Sequence, residues 1–344
     1  MEAPRIPIRN LYYLLCYSWN QLKQGELVDV SKVPTTELVD LFAFVLCDGI
    51  QHLARRGLEQ GYETQDEEIA GVRGRMDVLG SARRFLPAHG RAACSFDELT
   101  ANTLANQILK STLRQLGRAQ GLNAELRKRV QILRRDLRGI DEIAVTSQSF
   151  RRVQLHANNR FYRFLLNVCE LIQGSWLADQ KAGIYRFRDF VRDERAMARV
   201  FQNFLFNFIR TEIASWQIRR EHIEWCATSA LDPGLTLLPR METDISLQRG
   251  TQHLIIDAKY YQDTLTQRYD AAKVHSDNLY QLMSYLTNAK RPEGETLQGM
   301  LIYPRVDRTL REQYKIQGYG VMVATVDLNR DWKDVKGEII ELIG

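Results

Sequence analysis

Read as a string of apolar and polar positions, the chain opens in helical spacing. Between residues 9 and 57 apolar side chains recur at intervals of three and four, in Leu11-Tyr12-Leu14-Leu15 and again in Leu38-Leu41-Phe42-Val45-Leu46, interrupted by Gly25 and Pro34. This predicts a helical pair. Residues 68–78 (EIAGVRGRMDV) alternate apolar with polar and carry two glycines, the pattern of bent strands in a small barrel or hairpin. Helical spacing returns over residues 97–116 through Leu104, Ile108, Leu109 and Leu113, and a further helix with a basic exposed side is expected over residues 123–137.

The polar stretch at residues 154–160 (QLHANNR) has little periodicity and separates two periodic regions, so a linker is expected there. It divides the chain into an N-terminal domain, residues 1–157, mixed helical and small β-barrel-like, and a C-terminal domain, residues 158–344. Beyond it the pattern predicts helices over 161–173 and 194–215, then short strands at 223–226, 242–247 and 253–260. A helix over 276–287 and strands at 299–303 and 321–326 follow. Helix, three strands, helix, two strands describes a mixed sheet flanked by helices, an α+β or α/β domain.

Composition narrows the class. A chain of 344 residues, 44% hydrophobic, buries a core of about two domains, and no apolar run approaches the roughly 20 residues that span a bilayer. With 47 basic against 42 acidic residues the formal charge is +5, which permits nucleic-acid binding without requiring it. Cys16, Cys47, Cys94, Cys169 and Cys226 are odd in number, widely spaced and lack a CxxC pair, which predicts buried thiols and no zinc site. The start lacks the basic and apolar regions of a signal peptide, so a cytoplasmic protein is expected.

The chemistry concentrates in two predicted strands joined by a polar turn, Arg240-Met-Glu-Thr-Asp244-Ile-Ser-Leu and His253-Leu-Ile-Ile-Asp257-Ala-Lys259-Tyr. Asp257 and Lys259 are two apart and share a strand face, with Leu254, Ile256 and Ala258 on the other. If the strands pair, Asp244 reaches the same wall, with Glu242 two residues before it. Alone, Asp-x-Lys fits a solvated strand face equally well. Paired carboxylates beside a lysine, however, suit phosphodiester hydrolysis. Asp244 and Asp257 would hold Mg²⁺, a hard cation that keeps waters for nucleophile and substrate. The carbonyl of Ala258 offers a further oxygen, and Lys259 would orient or deprotonate the attacking water and offset phosphate charge.

The following predicted helix contains Asn278-Leu-Tyr-Gln281-Leu-Met-Ser-Tyr285, with Gln281 and Tyr285 on one face. Asp-x-Lys followed by Gln-x-x-x-Tyr resembles the RecB-like branch of the PD-(D/E)XK nucleases. The resemblance implies that Gln281 and Tyr285 sit beside the metal site, contacting DNA or supporting the lysine. That superfamily often adds an acidic residue from the helix before the sheet. Here Gln202 stands where a Glu is often found, while Asp193 and Glu194 open the helix, where acidic residues also favour its dipole.

A closer resemblance runs nearly end to end. Ile6-Pro-Ile-Arg-Asn-Leu-Tyr-Tyr, Leu53-Ala-Arg-Arg-Gly-Leu-Glu, Gly71-Val-Arg-Gly-Arg, Thr103-Leu-Ala-Asn and Tyr185-Arg-Phe carry it in the first part. Leu237-Leu-Pro-Arg-Met-Glu-Thr-Asp-Ile, Ile256-Asp-Ala-Lys-Tyr-Tyr, His275-Ser-Asp-Asn-Leu-Tyr-Gln-Leu-Met and Leu301-Ile-Tyr-Pro continue it. These segments resemble the McrC family, nuclease subunits of McrBC modification-dependent restriction systems. The resemblance implies a partner, an McrB-like AAA+ GTPase hexamer, with double-stranded DNA bearing methylated cytosines as substrate. It also implies that the N-terminal domain enters the partner's ring and stimulates GTP hydrolysis.

The chain has no Gly-x-x-x-x-Gly-Lys-Ser/Thr loop, so it is not expected to bind GTP itself. The basic runs at residues 127–129 with Arg134, Arg135 and Arg138, and at Arg151, Arg152, Arg160 and Arg163, fit a ring pore, DNA or simply solvated helix faces. Tyr12, Tyr13, Tyr17 and Trp19 are expected in the core rather than as a base-stacking platform. Two other readings stay open: a ring-plugging GTPase activator with a vestigial nuclease fold, and a stand-alone RecB-like repair nuclease.

Overall fold

A computed structural model describes residues 6–344 apart from 34–36, 156–158, 180–183, 188–190, 192, 262–265, 269–270, 291 and 307. The chain forms two compact units, one made of Met1–Lys32 with Asp189–Gly344, the other of Val33–Arg188. The expected boundary at 157/158 itself lies outside the described residues, but the division falls elsewhere. Residues on both sides of it belong to the second unit, and residues 6–32 join the C-terminal half.

The cause is a helix whose apolar stripe has its partner far along the chain. Helix α1 (Ile8–Ser18) buries Leu11, Tyr12, Leu14, Leu15 and Tyr17. Helix α2 (Glu194–Glu212), capped by Asp193 through the Ala196 amide, buries Met197, Phe201, Phe204, Leu205, Phe208 and Ile209 at helical spacing. The Tyr17 ring lies 5.8 Å from Phe204 and 5.2 Å from Phe208, and Asn207 Nδ2 donates to the Tyr17 carbonyl at 2.8 Å. Asn10, also buried, donates from Nδ2 to the carbonyls of Leu328 and Arg330 at 2.8 and 2.7 Å. Of the aromatic residues expected in the core, Tyr12 and Tyr17 are buried, whereas Tyr13, stacked on Trp332, and Trp19 are half-buried.

The same unit holds a six-stranded mixed sheet. Its strands are β1 (Gln217–Arg219), β2 (Ile245–Arg249), β3 (Gln252–Ala258), β4 (Thr296–Pro304), β5 (Arg311–Ile316) and β6 (Tyr319–Val326). The spatial order is β5-β6-β4-β3-β2-β1, with β3, β4 and β6 parallel and the remaining pairs antiparallel. Helix α3 (Ser276–Asn288) makes the crossover from β3 to its parallel neighbour β4, and α4 (Trp332–Ile343) follows β6. Central β3 is buried on both faces, with Ile255, Ile256, Asp257 and Ala258 all inaccessible, as a strand covered on both sides requires. The expected strand at 223–226 is instead a two-residue ladder, His222–Ile223 against Met241–Glu242, outside the main sheet.

The second unit packs helices Leu38–Arg56, Leu104–Gly117, Ala124–Asp136 and Arg160–Gly174 around Leu41, Phe42, Leu46, Ile50, Ile108 and Phe164. Gly49 permits a close approach between the first and last of these helices, since a Cβ there would lie 2.4 Å from Leu165 Cδ2. Its larger sheet is three-stranded and antiparallel, Gly61–Ala70 and Arg91–Thr100 pairing over their whole length with Arg75–Met76 added beyond, and a separate two-stranded ladder pairs Trp176–Asp179 with Ile184–Phe187. Three strands do not close, so the barrel-like expectation reduces to its hairpin alternative. Residues 97–100, expected as helix, finish the second long strand, which buries Ala92, Cys94 and Phe96 by alternation.

The basic run is largely committed within this unit. Arg127 caps the carbonyls of Gly117 and Ala119, Arg129 pairs with Asp48, and Arg134 pairs with Glu142. Arg135 and Arg138 remain exposed. All five cysteines are unpaired thiols, and Cys226 alone of them is exposed, contrary to the expectation of burial. Among the described residues no helix is long and apolar enough to cross a membrane.

Candidate active site

Asp257 is the penultimate residue of β3, and Lys259 follows the strand directly, its amide still donating to the Ile302 carbonyl of β4 at 3.0 Å. Asp244 precedes β2. The last registered pair between these strands is Ile256 with Ile245, so one step further Asp257 stands opposite Asp244. Directly opposed residues on an antiparallel pair share a face, which brings the two carboxylates together as the sequence predicted. Asp244 Oδ2 accepts from the Ala258 amide at 3.0 Å, locking the carboxylate over the strand end.

Lys259 Nζ lies 3.1 Å from Asp257 Oδ1 and donates to Gln281 Oε1 at 2.8 Å. Gln281 Nε2 in turn donates to Tyr285 Oη at 2.6 Å, and Tyr285 donates to the Glu242 carbonyl at 3.1 Å. The chain of donors is directional. Because Tyr285 spends its proton on a carbonyl, it accepts from the Gln281 amide, which leaves the amide oxygen facing Lys259. Helix α3 thereby grips the lysine by the side chains that the four-residue spacing placed on one face. Glu242 joins through its backbone carbonyl. Its side chain is exposed, so the expected third carboxylate is not gathered.

Asp257 is buried with no accessible surface, and neither of its oxygens has an aligned hydrogen-bond donor among the described residues. The ammonium of Lys259 is near enough for charge attraction but does not complete its hydrogen bonding. Burial pushes the Asp257 carboxyl up to about 7. Lys259 pulls it down, and Asp244 adds to the rise. Asp244 is also raised, again by burial, against the pull of the Ala258 amide and Lys259. The two carboxyls titrate as a pair. Burial likewise raises the Tyr285 hydroxyl, which keeps it a proton donor.

Gln202, treated from sequence as a departure from the nuclease pattern, reaches this site from α2. Its Nε2 lies 3.1 Å from Asp244 Oδ2 and 3.2 Å from the Ala258 carbonyl. Glu194 is exposed in the first turn of α2, about two helical turns, or roughly 12 Å, from Gln202. Sequence reasoning also missed a polar string beside the site. Tyr261 donates to Asn278 Oδ1 at 3.0 Å, and Asn278 Nδ2 donates to the buried Tyr303 at 3.1 Å. Its signal was present: Asn278 precedes Gln281 by three on α3.

Among the described residues no three His, Cys, Asp or Glu side chains converge as a closed metal cage. An open site for a hard cation needs fewer, since Mg²⁺ is held by one or two carboxylates and keeps several waters. The donor set at the end of β3 is of that kind. Two opposed carboxylates, one with no aligned hydrogen-bond donor to either oxygen, stand beside a backbone carbonyl, and the lysine paired with that carboxylate closes the wall.

A mixed sheet flanked by helices, with paired carboxylates and a lysine at the end of a central strand, has the layout of an α/β nuclease-like protein. The family model of the McrBC 5-methylcytosine restriction system component matches residues 5–304, and the chain belongs to that family. It is 40% identical over 342 residues to the type IV methyl-directed restriction enzyme EcoKMcrBC of Escherichia coli (strain K12), covering 99% of this chain and 98% of the relative. The fold is similar, with a TM-score of 0.63 at 15% identity, to a chain of a half-complex from the tetradecameric assembly of Thermococcus gammatolerans McrB AAA+ hexamers with bound McrC. That match covers 98% of this chain and 76% of the other.

Proposed function

We propose that this chain is the endonuclease subunit, McrC, of a GTP-dependent restriction complex that cleaves DNA carrying methylated cytosines. Its site belongs to the PD-(D/E)XK class, with Asp244, Asp257 and the Ala258 carbonyl as ligands for Mg²⁺. The observation that carries this reading is Asp257, a fully buried carboxylate beside a second carboxylate, with the Lys259 ammonium 3.1 Å from one oxygen but no aligned hydrogen-bond donor to either. Such a group is costly unless a cation completes it. When bound, Mg²⁺ supplies charge neutralisation at the phosphoryl group and a more acidic water.

The chain's own residues do the remainder. Lys259, held 2.8 Å from Gln281, presents ammonium protons to a phosphoryl oxygen or to the attacking water, and Tyr285 keeps the Gln281 amide turned to hold it. The Ala258 amide fixes the Asp244 carboxylate, so this acidic side chain is oriented before substrate arrives.

The partner is an McrB-like AAA+ GTPase, which supplies methylated-base recognition and GTP hydrolysis. Coupling to it is assigned to the unit Val33–Arg188 rather than to all of residues 1–157, since residues 6–32 pack into the sheet-bearing unit. The test is cleavage of methylated DNA by the complex reconstituted with its cognate AAA+ partner, GTP and MgCl₂. Asp244→Ala, Asp257→Ala and Lys259→Ala are expected to abolish cutting while the partner's GTPase remains stimulated. Normal cutting by the Asp257→Ala protein refutes the assignment. If the wild-type chain stimulates GTPase but never cuts, it is a ring-plugging activator, and robust cutting without the partner would make it a stand-alone nuclease.

A further inference from the structure

One nitrogen, Gln202 Nε2, bridges two of the oxygens that the proposed reading gives to the cation, at 3.1 Å from Asp244 Oδ2 and 3.2 Å from the Ala258 carbonyl. Chemistry sets the orientation of this amide. A carbonyl and an ionised carboxylate only accept hydrogen bonds, so the NH₂ edge, not the amide oxygen, must face them. That edge carries partial positive charge and two N–H groups, one for each acceptor.

Asp244 is thus satisfied without any ion, by Gln202 and by the Ala258 amide, whereas Asp257 is not. A cation approaching Asp244 and the Ala258 carbonyl would meet these N–H groups head on. Rotating the amide by half a turn exchanges NH₂ for oxygen and turns a competing donor into an acceptor aimed at the same place.

We propose that Gln202 is an amide switch of the cation site: its NH₂ bridges Asp244 and Ala258 in the cation-free protein, and its oxygen faces the cation when one binds. This rests on the cation-dependent reading above. Glutamate could serve only the second state, because in the first it would place a third carboxylate beside the half-buried Asp244 and the buried Asp257 with no proton to donate. Glutamine serves both with no change of charge. Gln202 is half-buried on α2, so substitutions there keep the helix and its core stripe.

The test uses the intact chain stripped of metal at pH 8, with MnCl₂ binding followed by calorimetry and cation-free thermal unfolding followed in parallel. Gln202→Ala loses both donor and acceptor, and is expected to weaken Mn²⁺ binding by roughly tenfold or more and to lower the cation-free Tm. Gln202→Glu keeps an acceptor but loses the donor, and is expected to tighten Mn²⁺ binding by about tenfold while also lowering the cation-free Tm. A packing role alone does not move affinity in opposite directions in two variants that lose stability together. Binding by Gln202→Ala equal to or tighter than wild type overturns the switch, as does an unchanged cation-free Tm in Gln202→Glu. If wild type binds no Mn²⁺, the switch and the reading beneath it both fall. If binding is present and lost in Asp257→Ala but unmoved in Gln202→Ala, the switch alone falls.

Discussion

Replacing Asp257 by Asn is expected to stabilise this protein in the absence of divalent cations. The carboxylate is fully buried, lacks aligned donors and faces Asp244, with Lys259 as its one close opposite charge. A carboxyl displaced from 3.8 to about 7 corresponds to a ceiling of about 4 kcal/mol held against the ionised form. That figure already includes the attraction of Lys259; local relaxation and water penetration lower the realised gain to about 2 kcal/mol, or roughly 4–8 °C in the melting of a unit of this size. The pH window follows from the sign. A carboxyl raised on folding binds its proton in the native state while the unfolded chain has already lost it, so stability falls as pH rises from about 4 to about 7. The advantage of Asp257→Asn should therefore be absent near pH 4, grow through that window and stay level above it. Melting of both proteins in EDTA, from pH 4 to 8, measures this. A variant less stable than wild type at pH 8, or one whose advantage is the same at pH 4 and pH 8, refutes the reasoning.

Three further changes separate the parts of the structure. Tyr285→Phe removes the hydroxyl that joins Gln281 to the Glu242 carbonyl. It should cost about 1–2 kcal/mol in urea unfolding and slow cleavage by the reconstituted complex, with unchanged stability arguing against the relay. Gly299→Ala would place a Cβ 2.9 Å from Leu286 Cδ1 and 3.0 Å from Leu282 Cδ2. Pushing α3 from β4 should lower stability by about 1–3 kcal/mol, and a neutral result would mean that α3 packs less closely than described. Asn10→Ala leaves the Leu328 and Arg330 carbonyls without their shared donor, at a cost of about 2–3 kcal/mol. That loss should appear in the transition that exposes Trp216 and Trp332, and its absence would detach α1 from the sheet-bearing unit.

How much of this was legible in the sequence depended on how local each signal is. Asp257 and Lys259 were found because a strand end imposes a two-residue period, and Gln281 with Tyr285 because a helix imposes a four-residue one. Asp244 was found by assuming that its strand pairs with the next, which the register of Ile245 with Ile256 bears out. Glu242 misled because the same two-residue rule was extended past a break. Residues 241–242 form their own short ladder, so the side chain leaves the wall and only the carbonyl stays. Strand β5 (REQYKI) was invisible for another reason: it is an exposed edge, and edges carry charge rather than alternation. The association of α1 with α2 joins residues about 190 positions apart. Periodicity shows that each helix has an apolar stripe but not which stripe covers it.

A chain made from its N-terminus delivers α1 before Val33–Arg188, yet the α2 side chains Phe204, Asn207 and Phe208 that pack on Tyr17 emerge only after the whole of that unit. At about 5–20 residues per second, the unit in the middle of the sequence has on the order of ten seconds to fold while the first helix waits with its apolar stripe uncovered. The order of folding is therefore inside out along the message. A nascent chain stalled before α2 should expose α1 to chaperones and proteases while the middle unit is already protected.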